Sequence, residues 1–332
     1  MVGCHRGFIS QLIKIVPNVL SIHCVLHRQH LVARRLSPRL NESLQYGINA
    51  VNKIKSNPLN DRLFRQLCDE NNEEFNRLLL HTEIRWISKG ACLPRFFQLF
   101  DSVLQFSEED DASLTENLRI RKADVAYLAD LYFMFNEICK QLLTEDLNLI
   151  KTKSVISAFM PKLLLFKQRF AMGELCQFQN LIKVKKDGQV SDADVEVYRD
   201  HLQALHNDFT RRFEDILSMA IPDWVINPFT NVEDEEISLQ IELLDLQSNA
   251  ELKPRLAEGY QRFWLQKQIP NLYPNVWAMV KRWLICFPSS SLVECPFSVV
   301  TDLMTKKRNR LQLVKRGDLR LPLPPCCRTL IS

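Results

Sequence analysis

The sequence of 332 residues contains only 8 glycines. Glycine supplies the left-handed backbone that tight hairpin turns need, so a chain with few glycines has few places for such turns. Apolar residues instead recur at the 3.6-residue period of an amphipathic helix, as Leu128, Leu131, Tyr132, Phe135 and Ile138 do. The sequence therefore predicts a mainly α protein in which this stripe belongs to the core.

Long apolar runs are also missing. No run reaches the length of a bilayer span, and the first residues lack the apolar stretch of a secretory signal. The 10 cysteines are scattered, mostly within apolar helical patterns. We therefore expect an intracellular protein with reduced, buried thiols and no contact with a membrane.

The chain lacks a large excess of either charge, because 43 Lys and Arg nearly balance 39 Asp and Glu and the net charge is only +4. That value does not by itself indicate a nucleic-acid partner, but the charges are unevenly distributed. Lys306–Lys315 is basic, whereas Glu108–Asp111 and Glu233–Glu236 are acidic. Such runs are usually solvated helix ends and loops, although the basic segment would also suit phosphate groups.

The periodicity predicts a series of helices separated by short connections. A helix is expected to start near Cys24, and Val19–Cys24 is interpreted as one buried strand. Residues 107–113 form a polar linker. The other predicted helices are at 6–16, 38–55, 59–71, 89–106, 114–144, 147–171, 174–183, 192–218, 237–245, 253–267 and 273–286.

A Cys-x-x-His pair, Cys24 and His27, is the one arrangement of metal-ligand type near the N-terminus. A structural zinc site needs four such ligands at a recurring spacing, and no second pair lies nearby. We therefore expect no metal here, and interpret the pair as a buried cysteine beside a locally hydrogen-bonded histidine.

Several motifs together resemble the hAT superfamily of transposases, and most closely the host proteins derived from it that are grouped with BED-type zinc-finger proteins. The motifs follow one another in the order and spacing of that family and cover nearly the whole chain. They are Leu20–Arg28 with its Cys-x-x-His, Thr82–Gly90 with Arg85 and Trp86, Leu244–Ser248, Ser290–Ser298 with the basic run that follows, and Arg316–Leu321.

The resemblance implies a ribonuclease-H-like fold in which two Asp and one Glu hold two divalent cations. Glu294 matches the third carboxylate, and Cys295 stands where many active relatives carry Arg. The two Asp would precede Met1, and no Asp of this sequence matches their positions. Since one carboxylate holds Mg²⁺ poorly, Glu294 is expected to be vestigial, with no metal and no cofactor.

The resemblance also implies how the chain is divided. Residues 1–106 would be the remnant of a ribonuclease-H-like core with few residual strands, and 107–250 an all-helical insertion domain. Residues 251–321 would hold the C-terminal core helices and the dimerisation region, followed by a disordered tail at 322–332.

The leading functional hypothesis is a non-catalytic, nuclear protein that associates with itself or with related hAT-derived proteins. Large apolar residues at helical spacing are good interface anchors and equally good core residues. The candidates for dimerisation are Leu272, Val276, Trp277, Val280, Trp283 and Leu284.

Two alternatives stay open. The first is a nucleic-acid-binding module without chemistry, for which the candidate residues are Arg85, Trp86, Lys306, Lys307, Arg308 and Arg310. The second, less favoured, is a residual metal-dependent DNA phosphoryl transferase that uses Glu294. Neither the leading hypothesis nor these alternatives calls for a small-molecule substrate.

Overall fold

The structure is a computed structural model. It describes residues 12, 14–15, 22–79 and 86–284, with 109, 145 and 176 excepted. These residues form helices and no strand, so the prediction of a mainly α chain is confirmed. The strand predicted at Val19–Cys24 lies partly outside the described residues, and 22–24 within it belong to no sheet.

Two compact units make up the chain, and each is described on its own. Unit 1 comprises Met1–Leu26, Glu145–Thr152 and Met219–Ser332, and unit 2 comprises His27–Thr144 and Lys153–Ser218. The predicted divisions after residues 106, 250 and 321 concern the origin of the segments, and they stay predictions.

Ten described helices run from Val25 to Leu217. They are α1 (Val25–Ala33), α2 (Pro38–Lys55), α3 (Pro58–Glu70), α4 (Trp86–Gln98), α5 (Phe100–Glu108), α6 (Ala112–Ile120), α7 (Lys122–Gln141), α8 (Leu149–Ala171), α9 (Gln179–Lys186) and α10 (Asp192–Leu217).

Capping residues explain where several of these helices begin. The Ser37 side chain accepts a hydrogen bond from the Leu40 amide ahead of α2, and proline occupies the first helical position. At α10, Ser191 and Asp194 form a reciprocal capping box. These signals are local in the sequence, so the predicted helix starts at 38 and 192 agree with the structure.

Three long predicted helices are broken in the structure. The helix predicted at 89–106 is interrupted at Leu99, between α4 and α5. The helix predicted at 114–144 is interrupted at Arg121, whose backbone leaves the helical region (φ −99°, ψ 14°) between α6 and α7. The helix predicted at 253–267 is interrupted at Gly259. There φ is +96°, a conformation that glycine adopts without steric cost.

The core of unit 2 is arranged around α7, which packs against α2, α4, α9 and α10. All five residues of the predicted stripe are buried: Leu128, Leu131, Tyr132, Phe135 and Ile138. Aromatic rings extend this core, since Phe135 lies 6.2 Å from Phe209 and 5.8 Å from Phe159 between ring centroids.

Unit 1 contains shorter helices. The described ones that follow residue 219 are α11 (Asp223–Ile226), α12 (Ile237–Ser248), a 3₁₀ helix (Lys253–Glu258), α13 (Tyr260–Trp264), α14 (Ile269–Leu272) and α15 (Pro274–Leu284).

The core of unit 1 is built from aromatic and aliphatic side chains. The buried ring of Trp264 lies 6.2 Å from that of Trp224, and its Nε1–H donates to the Val225 carbonyl at 2.7 Å. Phe263 packs beside Trp264, with 5.0 Å between ring centroids. Helix α15 joins the same cluster through the buried Val276 and Val280.

Three cysteines of the described residues lie in the protein interior. Cys68, Cys92 and Cys139 are buried free thiols, and burial raises the pKa of each to about 11. No helix in the described part of the chain is both long and apolar enough to cross a bilayer.

Candidate functional site

The six predicted dimerisation residues have different environments in unit 1. Val276 and Val280 are fully buried, so they contact the core of their own unit. Leu272 ends α14 and is 56% exposed. Trp277, Trp283 and Leu284 pack against the core but are only partly buried. Four of the six side chains are therefore accessible enough to contact a partner.

Most of the predicted catalytic and nucleic-acid residues lie outside the described residues. This applies to Glu294, Arg85, Lys306, Lys307, Arg308 and Arg310. Trp86 is the first residue of α4. The hypotheses that depend on these residues stay predictions.

The Cys24 and His27 pair lies at the start of α1. Cys24 is half-buried just before the helix, and His27 is exposed on it with its ring stacked 6.5 Å from that of His30. Among the residues that the structure describes, no three His, Cys, Asp or Glu side chains are grouped to hold a metal ion.

A buried carboxylate that the sequence analysis missed lies at the centre of unit 2. Asp124 on α7 accepts two hydrogen bonds from the Arg39 guanidinium, at 2.9 and 2.8 Å. Ser43 and Tyr198 donate to the same carboxylate at 2.8 and 2.9 Å. Arg39 also pairs with Asp194, so one arginine joins α2, α7 and α10.

A second buried chain of hydrogen bonds runs through Tyr127 and His201. The carbonyl of Arg35 can only accept, so His201 Nε2 carries the proton and donates to it at 3.0 Å. Nδ1 then accepts from the Tyr127 hydroxyl at 2.9 Å. Burial lowers the pKa of His201 to about 4, so the imidazole is neutral at physiological pH.

Two further carboxylates of unit 2 act as structural connectors. Asp130 on α7 accepts from the backbone amides of Asn180 and Leu181 at 2.9 and 3.0 Å, and so caps the N-terminus of α9. Burial raises the pKa of Asp130 to about 6, although these amides oppose the shift. Asp208 on α10 pairs with Arg35 at 3.2 Å and with Arg212 at 2.7 Å.

These groups hold helices together and leave no oxygen of the Asp124 carboxylate available for chemistry. A general base or a metal ligand needs an accessible lone pair, and both Asp124 oxygens already accept two strong hydrogen bonds. The network is best understood as the scaffold of unit 2. A signal for it existed in the sequence, because Asp124 and Asp130 interrupt an otherwise apolar helix face.

Comparison with known proteins gives a family match and several relatives. The family model described as the FAM200/GTF2IRD2 helical domain matches residues 23–171, from just before α1 to the end of α8. A Bos taurus protein called general transcription factor II-I repeat domain-containing protein 2 is 27% identical over 326 residues. A Mus musculus protein of the same name is 27% identical over 284 residues.

The chain spans about a third of the length of these curated relatives. The alignments cover 94% of this chain and 33% of the Bos taurus protein, and 84% of this chain and 30% of the Mus musculus protein. No solved structure gives a significant match. These similarities are in keeping with a transposase-derived protein, while the hAT and BED-type assignments stay predictions.

Proposed function

We propose that this chain is a non-catalytic, transposase-derived protein that acts in the nucleus through association with other proteins. The family similarity over residues 23–171 and the relatives named as transcription factor II-I repeat proteins support this proposal. The order of the sequence motifs supports an hAT origin, with residues 1–106 as the remnant of a ribonuclease-H-like core.

The absence of catalysis is proposed from the carboxylates. No Asp within these 332 residues matches the positions of the two carboxylates that would join Glu294, and a lone carboxylate is a poor ligand for Mg²⁺. Within unit 2 the buried Asp124 and Asp208 are committed to arginines. An Asp that is already ion-paired and hydrogen-bonded on both oxygens offers no open coordination position.

Self-association through α14 and α15 is the specific function that we propose. The observation that carries it is a group of accessible apolar side chains on two consecutive helices, which includes Leu272, 56% exposed at the end of α14, and Leu284, partly buried at the end of α15. Trp277 and Trp283 on the neighbouring α15 are only partly buried. Tryptophan is enriched at the centres of protein interfaces, and Leu272 would add apolar area to such a contact.

Light scattering on the full chain at micromolar concentration tests this proposal. We expect the mass of a dimer for the unaltered chain and of a monomer for Leu272→Asp, because a buried charge at an interface centre is costly. The matched control is Ile120→Asp, which changes a 65% exposed residue of unit 2 and should leave the dimer intact. A strict monomer for the unaltered chain would rule out the proposal.

A further inference from the structure

Helix α12 is apolar on two opposite sides. Leu239, Leu243 and Leu246 are buried in the core of unit 1, as expected for one face of an amphipathic helix. Ile237, Ile241 and Leu244 are 72%, 57% and 54% exposed. These three residues are four and three positions apart, so they form a continuous stripe that we call the α12 outer face.

The α12 outer face points away from the rest of unit 1. At about 100° of rotation per residue, its centre lies roughly 160° from the centre of the buried Leu residues. Helix α15 lies on another side, because Glu242 of α12 accepts from the Asn275 and Val276 amides at its N-terminus. The outer face is therefore separate from the surface around Leu272.

Isolated exposed aliphatic residues are normal on protein surfaces, but a run on one helix is not. The described part of unit 2 has one exposed pair on a single helix, Leu59 and Leu63 of α3, and no run of three. Ordinary surface composition therefore does not account for the α12 outer face.

Acidic residues lie at the N-terminal end of this face and along one side of it. From Phe213 to Leu252 the sequence contains no Lys and no Arg, whereas Glu233–Glu236 directly precede α12 and Asp245 borders the stripe beside Ile241. The described ion pairs include none of these carboxylates. Their negative charge is thus available to a partner.

The acidic segment continues into α12 through backbone hydrogen bonds from Leu239 and Gln240 to the Glu236 carbonyl, and the residues just before it are held against the helix. Gln247 of α12 donates to the carbonyls of Pro228 and Thr230, both at 2.8 Å, and Gln240 donates to that of Val232 at 3.3 Å. The charges and the apolar residues therefore form one pre-organised surface, which lowers the entropic cost of binding.

We propose that the α12 outer face binds an amphipathic helix with basic flanks that belongs to another protein. Apolar residues at i, i+4 and i+7 match a helix that presents the same spacing, and Lys or Arg beside that stripe would face Glu233–Glu236 and Asp245. A second copy bound through the same face would oppose like charges, since a two-fold interface places each patch against itself.

This proposal goes beyond self-association and depends on other residues, so an experiment can contradict either proposal without contradicting the other. The probe is a fluorescein-labelled synthetic helix with Leu at i, i+4 and i+7 among Lys residues, and the matched probe has Glu in place of Lys. We expect the full chain to bind the Lys probe, with an affinity that falls as salt rises, and to bind the Glu probe at least about tenfold more weakly.

Variants of the full chain locate the site. Ile241→Asp and Ile237→Asp should each weaken binding of the Lys probe at least about tenfold, because either puts a charge into the apolar contact. Asp245→Lys should weaken it and reduce its salt dependence. Leu272→Asp and Ile120→Asp should bind like the unaltered chain, and circular dichroism checks that each variant is folded.

Three outcomes would overturn the proposal. Equal binding of both probes, or unchanged binding by Ile241→Asp and Ile237→Asp, would mean that the face is not the site. Binding that appears only when residues 306–332 are removed would mean that a segment of this chain occupies the face. A dimer that Ile241→Asp dissociates, together with no probe binding, would identify the occupant as a second copy.

Discussion

In unit 2, carboxylates such as Asp124 and Asp208 lie inside, and each is held by arginine. In the described part of unit 1 the interior contains no charged side chain, and apart from the polar Asn148 and Thr152 it consists of rings and aliphatic groups such as Trp264 and Val276. The described surfaces differ in how densely exposed aliphatic residues occur. Six exposed Ile or Leu residues of unit 1 fall between Ile226 and Leu272, whereas the six of unit 2 are spread from Leu59 to Leu165.

This difference matches the two roles that we propose for the units, a scaffold in unit 2 and a contact surface in unit 1. A buried ion pair is stable only when its partners are correctly placed, so it fixes one arrangement of helices. Exposed aliphatic side chains do not stabilise the isolated unit, and their burial against a partner is favourable. This comparison favours the proposal that unit 1 carries the binding surface, while buried ion pairs hold the helices of unit 2 in place.

The largest expected effect breaks the scaffold. Asp124→Asn should destabilise unit 2 by about 3 kcal/mol, because the neutral amide leaves Arg39 with Asp194 as its remaining counter-charge and has one oxygen for the four hydrogen bonds that Asp124 accepts. Urea denaturation followed by far-ultraviolet circular dichroism measures it. The control is Asp101→Asn, whose exposed carboxylate pairs with Lys122 and should matter by less than about 0.5 kcal/mol. Equal effects of the two would contradict the assignment of Asp124 to the scaffold.

The second prediction uses two buried groups of unit 2 whose protonation has opposite effects on stability. The pKa of His201 is lowered to about 4, so the unfolded chain binds its proton first and stability falls as pH drops from 6.5 towards 4. The pKa of Asp130 is raised to about 6 from 3.8, so the folded chain binds that proton first and stability rises over the same interval. Each group changes the free energy of unfolding by about 3 kcal/mol over this interval, and the two changes nearly cancel because their signs are opposite.

Replacing one group should expose the other. In the His201→Gln variant, unit 2 should be more stable at pH 4.5 than at pH 7, by about 2 kcal/mol. In the Asp130→Asn variant, unit 2 should be less stable at pH 4.5 than at pH 7, also by about 2 kcal/mol. Urea midpoints measured at both pH values test this. The same sign of change in both variants would contradict it.

The third prediction concerns the apolar core of unit 1. Trp264→Phe removes the hydrogen bond to the Val225 carbonyl and part of a buried ring, and should cost about 2 kcal/mol. Four of the 5 tryptophans belong to unit 1, so their fluorescence follows its unfolding. Trp277→Phe, at a partly buried position, is the control and should cost less. An equal loss would mean that the core is centred elsewhere.

The smallest expected effect is at the surface of α12. Ile241→Asp should change the stability of unit 1 by no more than about 0.5 kcal/mol, since the side chain is already exposed. Leu243→Asp, two residues along and fully buried, should prevent unit 1 from folding. If the two variants behaved alike in thermal unfolding, the exposed and buried sides of α12 would be wrongly assigned.

The sequence predicts the helices with strong periodicity and strong caps. The Leu128 to Ile138 stripe and the caps at Ser37 and Ser191 are local signals, and the structure agrees with them. The break at Arg121 has no Gly or Pro to mark it, so periodicity alone merges α6 with α7. The break at Gly259 did have such a signal.

The buried network could not be predicted in the same way. Asp124 is noticeable as a charge on an apolar face, but its partners Arg39 and Tyr198 lie 85 and 74 residues away along the chain. Helix α12 is apolar on both sides, so its sequence does not say which side is buried. Tertiary packing decides both, and one sequence carries no direct record of it.

Hydrogen–deuterium exchange on the full chain, at low and at high protein concentration, tests the central claim most directly. If unit 1 carries the self-association surface, raising the concentration should slow exchange in α14 and α15 and leave α7 and α10 unchanged. Slower exchange confined to α7 and α10, or no change in either unit, would contradict the account.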